Sequence, residues 1–199
     1  MTTIGLIRHG ITEWNVLGRS QGISDIPLAE IGKQQAMALA NRLSLEEKWD
    51  IIVTSDLSRA KETGQIIASK LNIPISMFEE RIREINCGEI EGTTEEERLN
   101  RWGSNWRELN LGMEKFEDVS KRGCEFLSEL ATTYIDKRIL VISHGALIGL
   151  TLQRLLPEEF SSTHIENTSL TILNNNESTW DCTLYNCTQH IVQQEEIVY

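Results

Sequence analysis

Two short apolar runs, far apart in the chain, end in the same way: LIRHG carries Arg8, His9 and Gly10, and ILVISHG carries His144 and Gly145. Each run is brief, rich in β-branched residues and closed by a glycine, the pattern of a strand buried on both faces. Strands of that kind belong to parallel sheets covered by helices on both sides. In open α/β sheets ligands bind beyond the carboxyl ends of the strands, where residues distant in sequence can meet. The polar groups at 8, 9 and 144 therefore fall where a site would form. The glycines beside them would let a ligand approach the backbone.

The sequence between and beyond these runs keeps a strand-then-helix rhythm. Residues 4–7 predict a first, central strand, and Leu28, Ile31, Ala36, Leu39, Ala40 and Leu43 recur at helical spacing. Residues 51–53 predict a strand, after which Ser55 and Ser58 offer cap oxygens to a helix with Ala60, Gly64, Ile67 and Leu71 inward, ended by Pro74. A strand over 75–78 leads into REINCGEIEG, followed by two possible capping boxes at Thr93 and Thr94 with Glu96 and Glu97. Residues 94–119 are the least regular stretch and are expected to form a lid or insertion. A long helix over 117–134, a strand over 139–142 and a helix over 146–155 follow. The tail reads as strands over 169–173, 179–184 and 189–192, with a turn at Asn174-Asn175-Asn176. The expected fold is a three-layer α/β/α sandwich around a mostly parallel, mixed sheet, with antiparallel strands late in the chain. At 199 residues, one domain over 1–199 is expected.

The net charge of −11, without any basic stripe, argues against nucleic acid as a partner. No apolar run is long enough to span a bilayer, so no membrane partner is expected. Cys87, Cys124, Cys182 and Cys187 show neither CxxC spacing nor an evident pairing and are expected to be reduced thiols. The opening MTTIGLIRHG lacks a signal-peptide pattern, which makes a cytoplasmic location the expectation and the three N-x-S/T matches chance. An acidic surface does not exclude a small anion, because a few buried arginines dominate the potential at short range.

Five groups lie at expected strand ends or helix starts: Arg8, His9, Arg59, Glu84 and His144. Guanidinium forks match phosphate oxygens, and a neutral imidazole nitrogen can attack phosphorus to form a phosphohistidine. Phosphoryl transfer depends on fixed donors around the equatorial oxygens, which these residues could supply without a metal or other cofactor. The arginines would also hold His9 neutral, as attack requires. The chain has no HExxH, EF-hand or P-loop lysine motif. His164 and His190, outside any motif, read as structural. Trp102 and Trp106 could line a substrate mouth with Met113 and Phe116, but burial against the core is the stronger reading for both.

The set RHGxTxWN at Arg8, QGISDIPLAEIG from Gln21, SDLSRAKET from Ser55, REINCGEIEG from Arg83 and SHG from Ser143 resembles the histidine phosphatase superfamily, in its phosphoglycerate mutase-like branch. The resemblance implies that fold, with His9 as nucleophile and Glu84 as general acid and base. It implies that Arg8, Arg59 and His144 surround the phosphoryl group, that Asn15 adds a hydrogen bond, and that Gln21 and Gly22 belong to the substrate rim. Two positions depart from the pattern: Ala29 stands where a capping threonine is common, and Ile11 where a polar residue is. The tyrosine-glycine and LQGLNK-like segment of the mutases is absent after Glu84, so the resemblance favours a phosphomonoesterase acting on a small phosphorylated metabolite. A phosphoglycerate mutase is the alternative within the family, and a catalytically silent phosphate-binding module the alternative from another class. The sequence leaves the substrate and the oligomeric state open.

Overall fold

The computed structural model describes residues 1–46, 48–177 and 179–191. A six-stranded sheet runs in the order β3-β2-β4-β1-β5-β6, built from β1 (Thr2–Arg8), β2 (Ile51–Ser55), β3 (Ile75–Glu79), β4 (Arg138–Ser143), β5 (Leu170–Asn176) and β6 (Thr179–Cys187). The first four strands in sequence are mutually parallel, whereas β5 joins β1 antiparallel and β6 closes the sheet antiparallel to β5. Helices α1 (Glu13–Val16), α2 (Glu30–Leu43), α3 (Ser58–Leu71), α4 (Glu95–Trp102), α5 (Phe116–Thr133) and α6 (Gly145–Leu155) complete the expected mixed α/β architecture.

Strand alternation sorts the core into two layers. Ile4, Leu6, Val53, Ile139 and Val141 face one cluster with Phe126, Leu127 and Leu130 of α5 and Leu147, Ile148 and Leu152 of α6. Their neighbours Ile7, Ile52, Leu140 and Ile142 point the other way, onto Leu39, Ala40 and Leu43 of α2 and Ala60 and Ile67 of α3. A side-chain period of two on strands covered on both faces explains why these runs are apolar at every position. Fully burying one such side chain contributes about 1.5–3 kcal/mol, so the central strands are held chiefly by the helices packed on them.

Several local expectations are corrected. Ile31 is 51% exposed, because the inward stripe of α2 runs instead through Gly32, Gln35, Ala36, Leu39 and Leu43. Neither Ser55 nor Ser58 caps α3 through its hydroxyl; Asp25 reaches over from another loop and accepts from Ser58 N–H (2.6 Å) and Ser58 Oγ–H (2.9 Å). That helix ends before Pro74, at Asn72, which adopts the left-handed conformation (φ 55°). Of the two possible boxes only Thr94 with Glu97 forms, while Thr93 donates its hydroxyl to Ile90 O. Asn174, Asn175 and Asn176 are not a turn: they pair with Asp181, Trp180 and Thr179 in the β5-β6 hairpin. Residues 189–191 are helical rather than extended, and Val192 lies outside the described residues.

Trp102 and Trp106 belong to different segments, since Gly103 (φ 78°) ends α4 between them. Trp106 is buried between the guanidiniums of Arg98 and Arg107 and donates its indole N–H to Glu95, and Trp102 packs against the same core, so burial explains both. Met113 and Phe116 stay exposed. Among the described residues no helix is long and apolar enough to cross a membrane. All four cysteines are free, and burial pushes the Cys87 thiol up to about 12.

Candidate active site

Register brings the two histidine motifs together. Arg8 pairs with Ser143 at the level carboxyl ends of β1 and β4, and His9 N–H donates to Ser143 O (3.0 Å). The next residues on each strand, His9 and His144, then stand side by side with ring centroids 5.2 Å apart. Arg59 arrives from the first turn of α3, and Glu84 from the loop after β3. His9, Arg59 and His144 are almost wholly buried.

The glycines that follow the histidines have a task in the packing of the protein. A Cβ on Gly10 would run into the carbonyl of Gly32, so this glycine lets α2 pack directly on the loop. A Cβ on Gly145 would lie 3.2 Å from Arg8 Nε, so that glycine makes room for the guanidinium. Both serve close approach within the protein.

Each side chain is held in a way that leaves a particular atom free. His9 Nδ1 lies 2.7 Å from Gly10 O. A carbonyl can only accept, so Nδ1 carries the proton and Nε2 keeps its lone pair. Burial first, then the charges of Arg59 and Arg8, push the His9 pKa well below its ordinary value, despite the opposing bond to Gly10. His144 is depressed in the same way, by burial and then Arg59. Arg59 donates to Ser24 O (2.8 Å) and Gly22 O (2.7 Å), and Arg8 to Ile165 O (2.6 Å). Arg8 Nε, Arg59 Nε and His144 Nδ1 are nonetheless buried with no hydrogen-bond partner. Buried polar atoms of this kind are costly without a partner, and the two guanidinium Nε–H groups among them are donors that suit the oxygens of an anion.

Glu84 sits at the start of α6, where Oε1 accepts from Ile85 N–H (3.0 Å) and Leu147 N–H (3.1 Å) and Oε2 from Ala146 N–H (3.2 Å). Its charge acts on both Arg8 and Arg59, opposing the lowering that their burial causes. Asn15 closes a capping box with Thr12, its Oδ1 accepting from Thr12 N–H (3.1 Å), which turns its NH₂ end outward. Gln21 accepts from Thr12 Oγ1 (2.9 Å), and Gly22 (φ 53°) presents its carbonyl to Arg59. Among the described residues no group of three or more His, Cys, Asp or Glu is arranged to hold a metal.

Several supports lie outside the candidate site residues read from the sequence. Arg122 donates to the carbonyls of Arg81 and Arg83 (both 2.7 Å) and Glu84 (3.1 Å), fixing the turn that carries Glu84. Glu91 accepts from Ile23 N–H, Ser24 N–H and Cys87 N–H, tying the two loops that flank Arg59. Asn167 donates to His9 O (2.9 Å), and Thr168 N–H to Arg8 O (2.9 Å). Only the polarity of these residues within apolar surroundings could have hinted at them. His164 is exposed and paired with Glu166, and His190 is buried against Thr168 Oγ1.

With that geometry in place, comparison with known proteins is direct. A sequence model of the histidine phosphatase superfamily (branch 1) matches residues 4–188. The chain is 35% identical over 193 residues to the uncharacterized phosphatase PhoE of Bacillus subtilis, covering 96% of this chain and 97% of that one. It is 35% identical over 170 residues to the probable phosphoglycerate mutase GpmB of Escherichia coli, covering 78% and 75%. Among solved structures, a mutant phosphoserine phosphatase of Entamoeba histolytica in complex with phosphoserine superposes with a TM-score of 0.80 at 32% identity, covering 96% of this chain and all of that one. Matched over nearly its whole length in sequence and in fold, the chain belongs to the histidine phosphatase superfamily, branch 1.

Proposed function

We propose that the chain is a phosphomonoesterase that hydrolyses small phosphate esters through a covalent phosphohistidine on His9. The observation that carries this reading is the pairing of a free His9 Nε2 lone pair with unpartnered buried nitrogen atoms on Arg8, Arg59 and His144. Those groups and the Asn15 NH₂ hold the phosphoryl oxygens. His9 Nε2 attacks phosphorus, the ester P–O bond breaks, and Glu84, having taken up a proton as the phosphate ester binds, gives it to the departing alkoxide. Glu84 then takes a proton from water, which attacks phosphorus, breaks the P–N bond and frees inorganic phosphate. Gln21 and Gly22 act on the rim through Thr12 and Arg59.

The 94–119 segment is tied to neighbouring loops at three points. Arg19 pairs with Glu97 (2.8 Å), Glu89 N–H donates to Leu111 O (2.8 Å), and Glu114 N–H donates to Asn86 O (2.8 Å), so the segment is pinned along its length. Relatives named as phosphatases support hydrolysis, and the missing LQGLNK-like segment weighs the same way. The relative named a probable phosphoglycerate mutase keeps phosphoryl return to the same substrate as the second reading. Assaying 4-nitrophenyl phosphate, 2-phosphoglycerate and 3-phosphoglycerate separates them. Hydrolysis abolished by His9→Ala is expected. Interconversion of the phosphoglycerates much faster than phosphate release would establish the mutase, and equal rates for wild type and His9→Ala would remove His9 as nucleophile.

A further inference from the structure

His144 Nε2 lies 2.9 Å from the hydroxyl of Ser55, and both residues are fully buried. Ser55 ends β2, beside β4, so sheet pairing places it against the ring. Its oxygen also accepts the backbone N–H of Leu57 at 3.4 Å. On the side of the ring away from Ser55, Nδ1 is buried and unpartnered, and Arg59, Arg8 and Arg122 are neighbouring groups whose charges reach the ring.

We propose that Ser55 is a positioning residue that fixes His144 as the Nδ1–H tautomer, so that His144 presents an N–H donor to a substrate oxygen where His9 presents a lone pair. Counting partners decides between the tautomers. With the proton on Nε2, His144 donates to Ser55, and two buried groups are left without partners: the Ser55 O–H and the Nδ1 lone pair. That lone pair would also face any anion held by the arginines. With the proton on Nδ1, Ser55 accepts from Leu57 and donates to Nε2, and the Nδ1–H alone is left, as a donor suited to that anion. The two imidazoles then share one tautomer and present opposite ends. His9 has its Nδ1–H committed to Gly10 O and offers Nε2, whereas His144 has its Nε2 committed to Ser55 and offers Nδ1–H.

The donor role rests on the phosphatase reading, but the tautomer does not, and the experiment keeps them apart. Nitrogen-15 NMR of histidine-labelled wild type, without substrate at neutral pH, should show His144 with a protonated Nδ1 and a bare Nε2. A protonated Nε2, or an averaged mixture, would overturn the assignment. Adding orthovanadate should shift the Nδ1 resonance, and no shift in a protein that binds vanadate would overturn the donor role. Ser55→Ala should mix the tautomers and lower kcat/KM by about 10- to 100-fold, the range seen when the outer partner of a functional imidazole is removed, with Ser55→Thr restoring both. A folded Ser55→Ala protein with an unchanged tautomer and wild-type kcat/KM would refute the role. Inactivity of the wild type toward every phosphate ester would sink the proposed reaction while leaving the tautomer to stand or fall on its spectrum.

Discussion

Mild acid should unfold this protein, because three of its histidines are buried as neutral rings. His9 and His144 are held well below their ordinary value by burial and then by Arg59, and burial, followed by the charge of Arg42, takes His190 down to about 4. In the unfolded chain each would titrate near about 6.5. The unfolded state therefore binds protons that the folded state refuses. The stability these groups contribute is fully present above the unfolded value and is lost as pH falls toward the folded one. From about pH 7.5 to about 5.5 each group removes about 1.4 kcal/mol, so the three together remove about 4 kcal/mol. A total stability of about 5–15 kcal/mol cannot absorb much more than that. Carboxylates stay ionised through this window, which isolates the imidazole contribution. Urea unfolding followed by tryptophan fluorescence at several pH values measures it, and His190→Gln should reduce the loss by about a third. A stability flat to within about 1 kcal/mol between those two pH values would refute the burial of neutral imidazoles.

Arg59→Gln removes a buried donor together with a charge that holds His9 neutral. It should lower kcat/KM by about 10²–10³ and move the acid limb of the pH profile upward, by about one pH unit for a charge at this depth; an unmoved acid limb would show that Arg59 does not govern His9. Ala29 occupies the N-cap of α2 in extended geometry with no side-chain bond, so Ala29→Ser should raise stability by about 0.5–1 kcal/mol in thermal or urea unfolding, and no gain would mean the serine hydroxyl cannot reach the first amides.

The parts of the fold legible in the sequence were those where pattern and burial agree. The β1 and β4 runs are apolar throughout because both of their faces are covered, and the helical stripes of α3, α5 and α6 follow from one covered face. The antiparallel tail was visible as alternating runs, but its turn was misplaced. Asparagines favour turns locally, yet pairing across β5 and β6 outweighs that preference and keeps Asn174, Asn175 and Asn176 in the strand. The Asp25 cap on α3 was invisible because the capping oxygen comes from a distant loop rather than from the residue before the helix. The sequence marks Gly10 and Gly145 beside the site, but only three-dimensional contact shows that Gly32 and Arg8 fill the space next to them. The motif residues Arg8, His9, Arg59, Glu84 and His144 were findable because their chemistry is unusual in buried positions. Ser55 and Glu91 fall inside SDLSRAKET and REINCGEIEG, but nothing in those patterns tells what they bond, and Arg122 and Asn167, which act through backbone groups, lie outside every motif.

The most direct measurement is to trap the reaction midway. Rapid mixing with a phosphorus-32-labelled ester, quenched in alkali and digested to peptides, should yield label that is stable to base and lost in acid, as a phosphoramidate is, on the peptide containing His9. Label absent from that peptide under single-turnover conditions that release phosphate, or present on a different residue, would contradict the account.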